Sequence, residues 1–96
     1  MGRRQFVLVT YDISKDKRRT RLHNVLLNYG TPVQYSVFEC YLDTTGLARM
    51  KAAVMKAIRP RADRVRFYYL CDRCLSKTEV TSGVEVLGGD DQVFVV

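Results

Sequence analysis

One acidic residue, Asp12, ends the longest aliphatic run near the start of the chain. The run 6–11 (FVLVTY) has the apolar and β-branched composition of a strand inside a sheet. A carboxylate at the end of such a strand lies at the rim of the sheet, where folds often place chemistry. Because Mg²⁺ binds carboxylates together with water and phosphate oxygens, Asp12 is a candidate metal ligand. The alternative, favoured on position alone, is a structural carboxylate that caps the next helix or pairs with Arg18 or Arg19.

Basic residues follow Asp12 immediately. They are Lys15, Lys17, Arg18, Arg19 and Arg21. Positive charge is unfavourable in the first turn of a helix, because the helix dipole favours anions there. The segment therefore indicates binding of a polyanion, and a guanidinium can bind phosphate in a bidentate manner. The candidate phosphate contacts are Arg18, Arg19, Arg49, Lys51 and Lys56. The alternative is a solvated helix face, which is what a run of charges usually is.

The composition agrees with an anionic partner. The 96 residues are expected to form one domain, 1–96, and carry 16 Lys and Arg against 10 Asp and Glu, a net charge of +6. Such a balance is typical of proteins that bind nucleic acid, an anionic membrane or an acidic partner. No apolar run approaches the ~20 residues of a membrane span. The first residues also lack the pattern of a signal peptide, so we expect a cytoplasmic protein that does not span a membrane.

The three cysteines, Cys40, Cys71 and Cys74, leave three interpretations open. An odd number argues against a secreted disulfide framework. Zinc usually needs four ligands, and only Cys40 and His23 could complete the pair Cys71–Cys74. A redox disulfide is somewhat better supported, although no clear helix follows the motif in the sequence. Inert thiols are the expected outcome.

The periodicity predicts the order β-α-β-β-α-β with an extra C-terminal strand, an α+β ferredoxin-like fold. The first strand is Gln5 to Asp12, and Ser14 or Asp16 caps a helix that runs to Asn28 or Tyr29 and stops at Gly30. The next elements are a strand from Val33 to Leu42, a helix from the cap cluster Asp43–Thr45 to Ile58, and a strand from Arg64 to Cys71. After a turn at 72–74, short strands are expected near Val84–Leu87 and Gln92–Val96.

Two helices can cover only one face of such a sheet, yet both faces of the second and third predicted strands carry apolar or aromatic residues. An uncovered apolar face implies a partner surface, and a second copy of the chain is the simplest one. We therefore expect a homodimer, in which the last strand could add to the partner's sheet edge. A two-fold axis would also bring two Asp12 residues to one metal site. The aromatic residues Tyr11, Tyr35 and Phe38 could stack on bases, but strand aromatics more often belong to the core.

The motif Tyr11-Asp12-Ile13-Ser14, the helix segment Arg18-Arg19-x-Arg21-Leu22, Gly30 and the segment 33–40 (VQYSVFEC) together resemble the Cas2 family of small CRISPR-associated proteins. The resemblance covers nearly the whole chain. Many members carry an arginine just before the Val-Gln pair, where this chain has Thr31-Pro32.

This resemblance implies a ferredoxin-like homodimer that is a metal-dependent endonuclease on RNA or DNA. It also implies a role in spacer acquisition, as the DNA-binding core of an integrase with a partner integrase subunit. Asp12 would be the catalytic residue and the ligand of Mg²⁺ (or Mn²⁺). The supporting residues would be Tyr11, Arg19, Arg21, Ser36 and Phe38.

Two alternatives belong to other classes. One is a non-catalytic scaffold, a basic dimer that holds duplex DNA while a partner joins the strands. The other is a ferredoxin-like RNA-binding module that stacks bases on strand aromatics. The run 64–67 (RVRF) lacks the glycines of the ribonucleoprotein signature, which makes the RNA-binding module the weaker of the two.

Overall fold

A computed structural model of the chain describes residues 3–81 and 94–95. The elements are β1 (Gln5–Asp12), α1 (Asp16–Leu26), β2 (Gly30–Gln34), β3 (Val37–Leu42), α2 (Thr44–Ala57), β4 (Arg64–Leu70), α3 (Asp72–Ser76), β5 (Glu79–Val80) and β6 (Phe94–Val95). Four strands form an antiparallel sheet in the order β2-β3-β1-β4. This order, with helices after β1 and β3, confirms the ferredoxin-like prediction.

Two of the expected strands fall mainly outside the described residues. The strand near Val84–Leu87 lies outside them altogether. Of the strand expected over Gln92–Val96, the described part is β6, which pairs in parallel with β5. None of the described helices has the length and apolar character needed to cross a membrane.

The main core lies between one face of the sheet and the helices α1 and α2. Alternate residues of β1 point into it, with Val7 and Val9 fully buried. They meet Leu22 and Leu26 of α1 and a matching stripe on α2. The stripe on α2 consists of Met50, Val54 and Ala57. Burial of these apolar side chains is the dominant stabilising term and determines which face of each helix turns inward.

The opposite face of the sheet, which we call the open face, carries Phe6, Leu8, Tyr41, Tyr68 and Leu70. One end of it is covered by α3, whose Leu75 is fully buried with Phe6. Away from α3 none of the described residues covers this face fully, and 44% of Tyr68 is exposed. The sequence prediction of apolar residues on both faces is therefore confirmed for the described strands.

The predicted second strand is wrong as a single strand, because a turn divides it into β2 and β3. Ser36 has a φ of 64°, the left-handed conformation that reverses the chain. Pro32 fits only because β2 is the edge strand, where the missing N–H breaks no ladder bond. Gly30 starts β2 rather than ending a helix, and a Cβ there would collide with the carbonyl oxygen of Glu39.

The helix ends show which local signals were decisive. In α2 the prediction is confirmed, since Asp43 accepts a hydrogen bond of 2.7 Å from the N–H of Gly46. In α1 the predicted caps are wrong: Lys15 is the N-cap residue and makes no side-chain cap bond. Asp16 pairs instead with Arg19, one turn further on. The predicted turn at 72–74 is also wrong, because these residues begin α3.

Candidate functional site

Asp12 is the last residue of β1, and its side chain is exposed. Tyr11 and Ile13 are buried on the helix side, so the alternation of the strand places Asp12 on the open face. Within residues 3–81 and 94–95, no side chain forms a hydrogen bond or ion pair with its carboxylate. The two arginines that could have paired with it bind elsewhere. The carboxylate is therefore available to a cation, and the structural alternative has no contact to support it.

Arg64 lies directly opposite Asp12 in the β1–β4 ladder, and Arg66 lies opposite Thr10. Residues directly opposite each other in a ladder share a face, so both arginines lie with Asp12 on the open face. Both are exposed, and Arg66 donates a hydrogen bond of 3.1 Å to the hydroxyl of Tyr68. Sequence reasoning missed this pair. The alternation Arg64-x-Arg66-x-Tyr68 could have indicated it, but the strand partner could not be read from the sequence.

A second group lies on the helix side of the sheet, behind Asp12. A cavity of about 220 Å³ is lined by Tyr11, Arg19, Thr20, His23, Gln34, Tyr35 and Ser36. Arg19 lies 6.0 Å from the centre of the Tyr35 ring and donates a hydrogen bond of 2.9 Å to the carbonyl of Ile13. The N–H of Tyr11 donates to the carbonyl of Ser36 at 3.1 Å. Burial, and then the neighbouring Tyr35, raises the pKa of Tyr11 above its ordinary 10.0.

The structure therefore brings four of the five supporting residues together, since Phe38 packs against Tyr11 with ring centres 6.4 Å apart. These residues contact the end of β1 on the helix side of the sheet. They do not contact the Asp12 carboxylate, which lies on the open face. Arg21, the fifth, is exposed on α1 and makes none of these contacts. The predicted roles of all five stay predictions.

Arg18 forms a bidentate ion pair with Asp63, with Nε 2.7 Å from Oδ2 and Nη2 3.0 Å from Oδ1. The carboxylate also accepts a hydrogen bond of 2.8 Å from the N–H of Arg59. Arg18, with its hydrogen bonds, lowers the pKa of the buried Asp63 carboxyl below its ordinary value. Asp63 immediately precedes β4, so this pair fixes the position at which Arg64 enters the sheet beside Asp12.

The basic residues of α2 lie on the other side of the sheet from Asp12. Arg49, Lys51 and Lys56 are exposed. The Lys51 ammonium lies 5.0 Å from the centre of the Tyr69 ring and 5.8 Å from that of Phe67. The predicted phosphate contacts are thus not one cluster. Arg18 and Arg19 lie on α1, whereas Arg49, Lys51 and Lys56 form a surface on α2 that is separate from the Asp12 face.

Among the described residues of one chain, Asp12 is the single carboxylate assigned to the candidate metal site. In the described part of the chain, no group of three or more His, Cys, Asp or Glu side chains could hold a metal ion. Asp12 still fits Mg²⁺, which keeps several waters and needs only one or two carboxylates. The same finding leaves no zinc site in that part of the chain, and His23 packs edge-on against Phe38 with ring centres 5.1 Å apart.

Fold and site together define a small ferredoxin-like domain with two arginines and a carboxylate on its open face, and no described residue pairs with that carboxylate. The family model described as CRISPR associated protein Cas2 matches residues 5–78, and the chain belongs to this family. The chain is 36% identical to "CRISPR-associated endoribonuclease Cas2 3" of Chloroflexus aurantiacus, over 97% of this chain and 99% of that protein. It is 40% identical to "CRISPR-associated endonuclease Cas2 2" of Thermus thermophilus, over 92% and 86% of the two chains. A chain of the solved structure "Partial Cas6-RT-Cas1--Cas2 complex" superposes with a TM-score of 0.71 at 26% identity, covering 86% of this chain and 91% of that one.

Proposed function

We propose that this chain is a metal-dependent endonuclease of a CRISPR system, which cuts phosphodiester bonds in RNA or DNA and takes part in spacer acquisition. The observation that carries the proposal is the exposed Asp12 carboxylate, which has no partner among the described residues and has Arg64 across from it on the open face. The names of relatives in Chloroflexus and Thermus support a nuclease, and one of them specifies RNA. The likeness to a chain of a Cas1–Cas2 complex supports a partner integrase, Cas1.

A homodimer would complete the site, because the described part of each chain offers one carboxylate to it, that of Asp12. The open face is the part of the sheet that α1 and α2 leave uncovered, and its apolar residues lie next to the strand that ends in Asp12. Pairing two copies across this face would bury Tyr68 and its neighbours. A two-fold axis near the ends of the two β1 strands would place one Asp12 from each chain at a shared site.

Asp12 from each chain would then hold Mg²⁺ or Mn²⁺, which when bound supplies a Lewis acid and an acidified water. Arg64 and Arg66 would contact the phosphates on either side of the scissile bond and offset their negative charge. Arg19 holds the Ile13 carbonyl, and thus fixes the strand end that aims Asp12. The arginines of the open face would thus bind the phosphates, and the residues on the helix side of the sheet would position Asp12.

The test is a cleavage assay of the full chain and its Asp12→Asn variant on single-stranded RNA and duplex DNA, with Mg²⁺, Mn²⁺ or EDTA. We expect the variant and the EDTA samples to lose about 100-fold or more of the activity, since changes even to the partners of metal ligands cost about 10–100-fold. Asp72→Asn is the matched control, because this exposed carboxylate lies at the other end of β4. Cleavage by Asp12→Asn at the wild-type rate would refute the proposal.

A second candidate is the non-catalytic scaffold, in which a basic dimer holds duplex DNA for the partner integrase. It is favoured by the separation of the α2 bases from Asp12, because these bases can bind DNA without presenting it to the carboxylate. Its test is DNA binding without added metal. Equal affinity of wild type and Asp12→Asn, together with no cleavage by wild type in any metal, would select the scaffold. The first residues to examine would then be Thr31-Pro32, where many members carry an arginine.

A further inference from the structure

Two exposed thiols meet at the start of α3. Cys71 is the N-cap residue of this helix, and the N–H of Cys74 donates to its sulfur at 3.5 Å. The two thiols are near enough for each to shift the pKa of the other. Nothing in the proposed nuclease or scaffold function uses them. The sequence favoured inert thiols because no helix was evident behind the motif, and α3 removes that objection.

The spacing suits a disulfide. Residues three apart in a helical turn have Cβ atoms about 5–6 Å apart, and a disulfide needs Cβ atoms about 3.5–4.5 Å apart, so the turn has to tighten by about 1–2 Å to close it. Cys71 lies outside the helix as its N-cap residue, and its sulfur is already 3.5 Å from the backbone nitrogen of Cys74, so a small shift of Cys71 suffices to join the sulfurs. We propose that Cys71 and Cys74 form a reversible dithiol–disulfide pair that exchanges with small disulfide oxidants such as oxidised glutathione.

The two sulfurs have different roles in this exchange. The N–H of Cys74, and then its thiol, lower the pKa of Cys71, whereas the hydrogen bond to Cys71 raises the pKa of Cys74. Since the thiolate is the nucleophile, Cys71 attacks first. Cys40 offers a contrast within the same chain. It is fully buried, and burial raises its pKa to about 11.

The reaction balances with one molecule of the oxidant RSSR. The Cys71 thiolate attacks one sulfur of RSSR, which forms a mixed disulfide and releases RS⁻. Cys74 then loses its proton, attacks the Cys71 sulfur and expels the second RS⁻. The two protons from the cysteines end on two RSH molecules, so the protein is oxidised by two electrons and RSSR is reduced by two.

The disulfide would close across the first turn of α3. That helix is only five residues long, covers Phe6 through Leu75, and connects β4 to β5. Its other side-chain attachment near this turn is an exposed ion pair, Asp72 with Arg3 at 3.7 Å. Oxidation would therefore restrict the start of α3, where the chain leaves β4. In the reduced protein, the packing of Leu75 would remain the main contact between α3 and the sheet.

The test equilibrates the full chain at pH 7 in buffers of varied reduced-to-oxidised glutathione ratio, followed by alkylation of the native protein and intact mass. The reduced native protein should be alkylated at two cysteines, and at the third only after unfolding. Cys40 at pH 7 should react about 100-fold more slowly than a thiol of ordinary pKa 9.0, from the thiolate fraction alone. The oxidised protein should lose the mass of two hydrogen atoms and both alkylation sites.

Single variants separate the two roles. Cys74→Ser should stop at a glutathione adduct on Cys71, and Cys71→Ser should form neither the internal disulfide nor that adduct at the wild-type rate. The proposal is overturned if all three thiols stay free in the most oxidising buffer, or if the disulfide joins two chains. It is also overturned if the protein as isolated holds zinc through Cys71 and Cys74, which a zinc-release assay would detect.

Discussion

The ion pair between Arg18 and Asp63 predicts a measurable loss of stability in the variant Asp63→Asn. The substitution keeps the shape of the side chain and can retain the bonds of one oxygen, including the one from the N–H of Arg59. The amide nitrogen of the new asparagine would replace Oδ1 and face Nη2 of Arg18. Both groups are donors, so the hydrogen bond of 3.0 Å is lost. Arg18 would also lose its charged partner.

The expected cost follows from these contacts. A hydrogen bond to a charged group contributes about 1.5–3 kcal/mol, and losing one partner of a buried pair costs about 3–5 kcal/mol. The Arg18 side chain is 18% exposed and can turn partly to water, so we expect about 2–4 kcal/mol. In a domain of this size that corresponds to a Tm lower by about 10–20 °C.

Thermal unfolding followed by circular dichroism, at several pH values, tests this expectation. Because the pKa of Asp63 is lowered in the folded protein, its stabilisation is present above the ordinary value of 3.8 and is lost as pH falls through the folded value. The Tm gap between wild type and Asp63→Asn should therefore be constant at neutral pH and narrow below pH 3.8.

The control is Asp72→Asn, whose carboxylate forms an exposed pair at 3.7 Å and should cost about 0.5 kcal/mol or less. A Tm for Asp63→Asn equal to that of the control would refute the reasoning. So would a gap that persists unchanged in strong acid, because the carboxylate would then not be the group responsible.

Three further predictions concern the site and the assembly. Asp12→Asn should change the free energy of unfolding by no more than about 0.5 kcal/mol, because the carboxylate has no bond to lose in the described part of the chain. A loss of about 1 kcal/mol or more in thermal unfolding would restore the structural interpretation. The double variant Lys51→Glu with Lys56→Glu should weaken binding to two unrelated DNA duplexes equally, because phosphate contacts carry no sequence information. It should also reduce the salt dependence of the affinity, measured by fluorescence anisotropy. A loss of affinity confined to one duplex would contradict a phosphate role. Light scattering should find a dimer at micromolar concentration, weakened when the last five residues are removed, and a full-length monomer would contradict the proposed use of the open face.

The sequence alone determined the fold class, the two long helices and the place of Asp12. The aliphatic run of β1 and the stripes of the two long helices follow from local periodicity, which needs no knowledge of partners. Asp43 could be identified as a cap because its hydrogen bond reaches only three residues along the chain. Asp12 could be placed at the rim because it ends an apolar strand.

The tertiary structure decided which of these residues meet. Arg64 lies beside Asp12, and Arg18 binds Asp63, because the pairing of β1 with β4 joins segments about fifty residues apart in the chain. No local sequence pattern specifies the register of that pairing. The turn at Ser36 was missed because its left-handed backbone is held by tertiary contacts rather than by a glycine. The helix α3 was missed because five residues show too little periodicity to predict a helix. It is stabilised by the packing of Leu75 against Phe6.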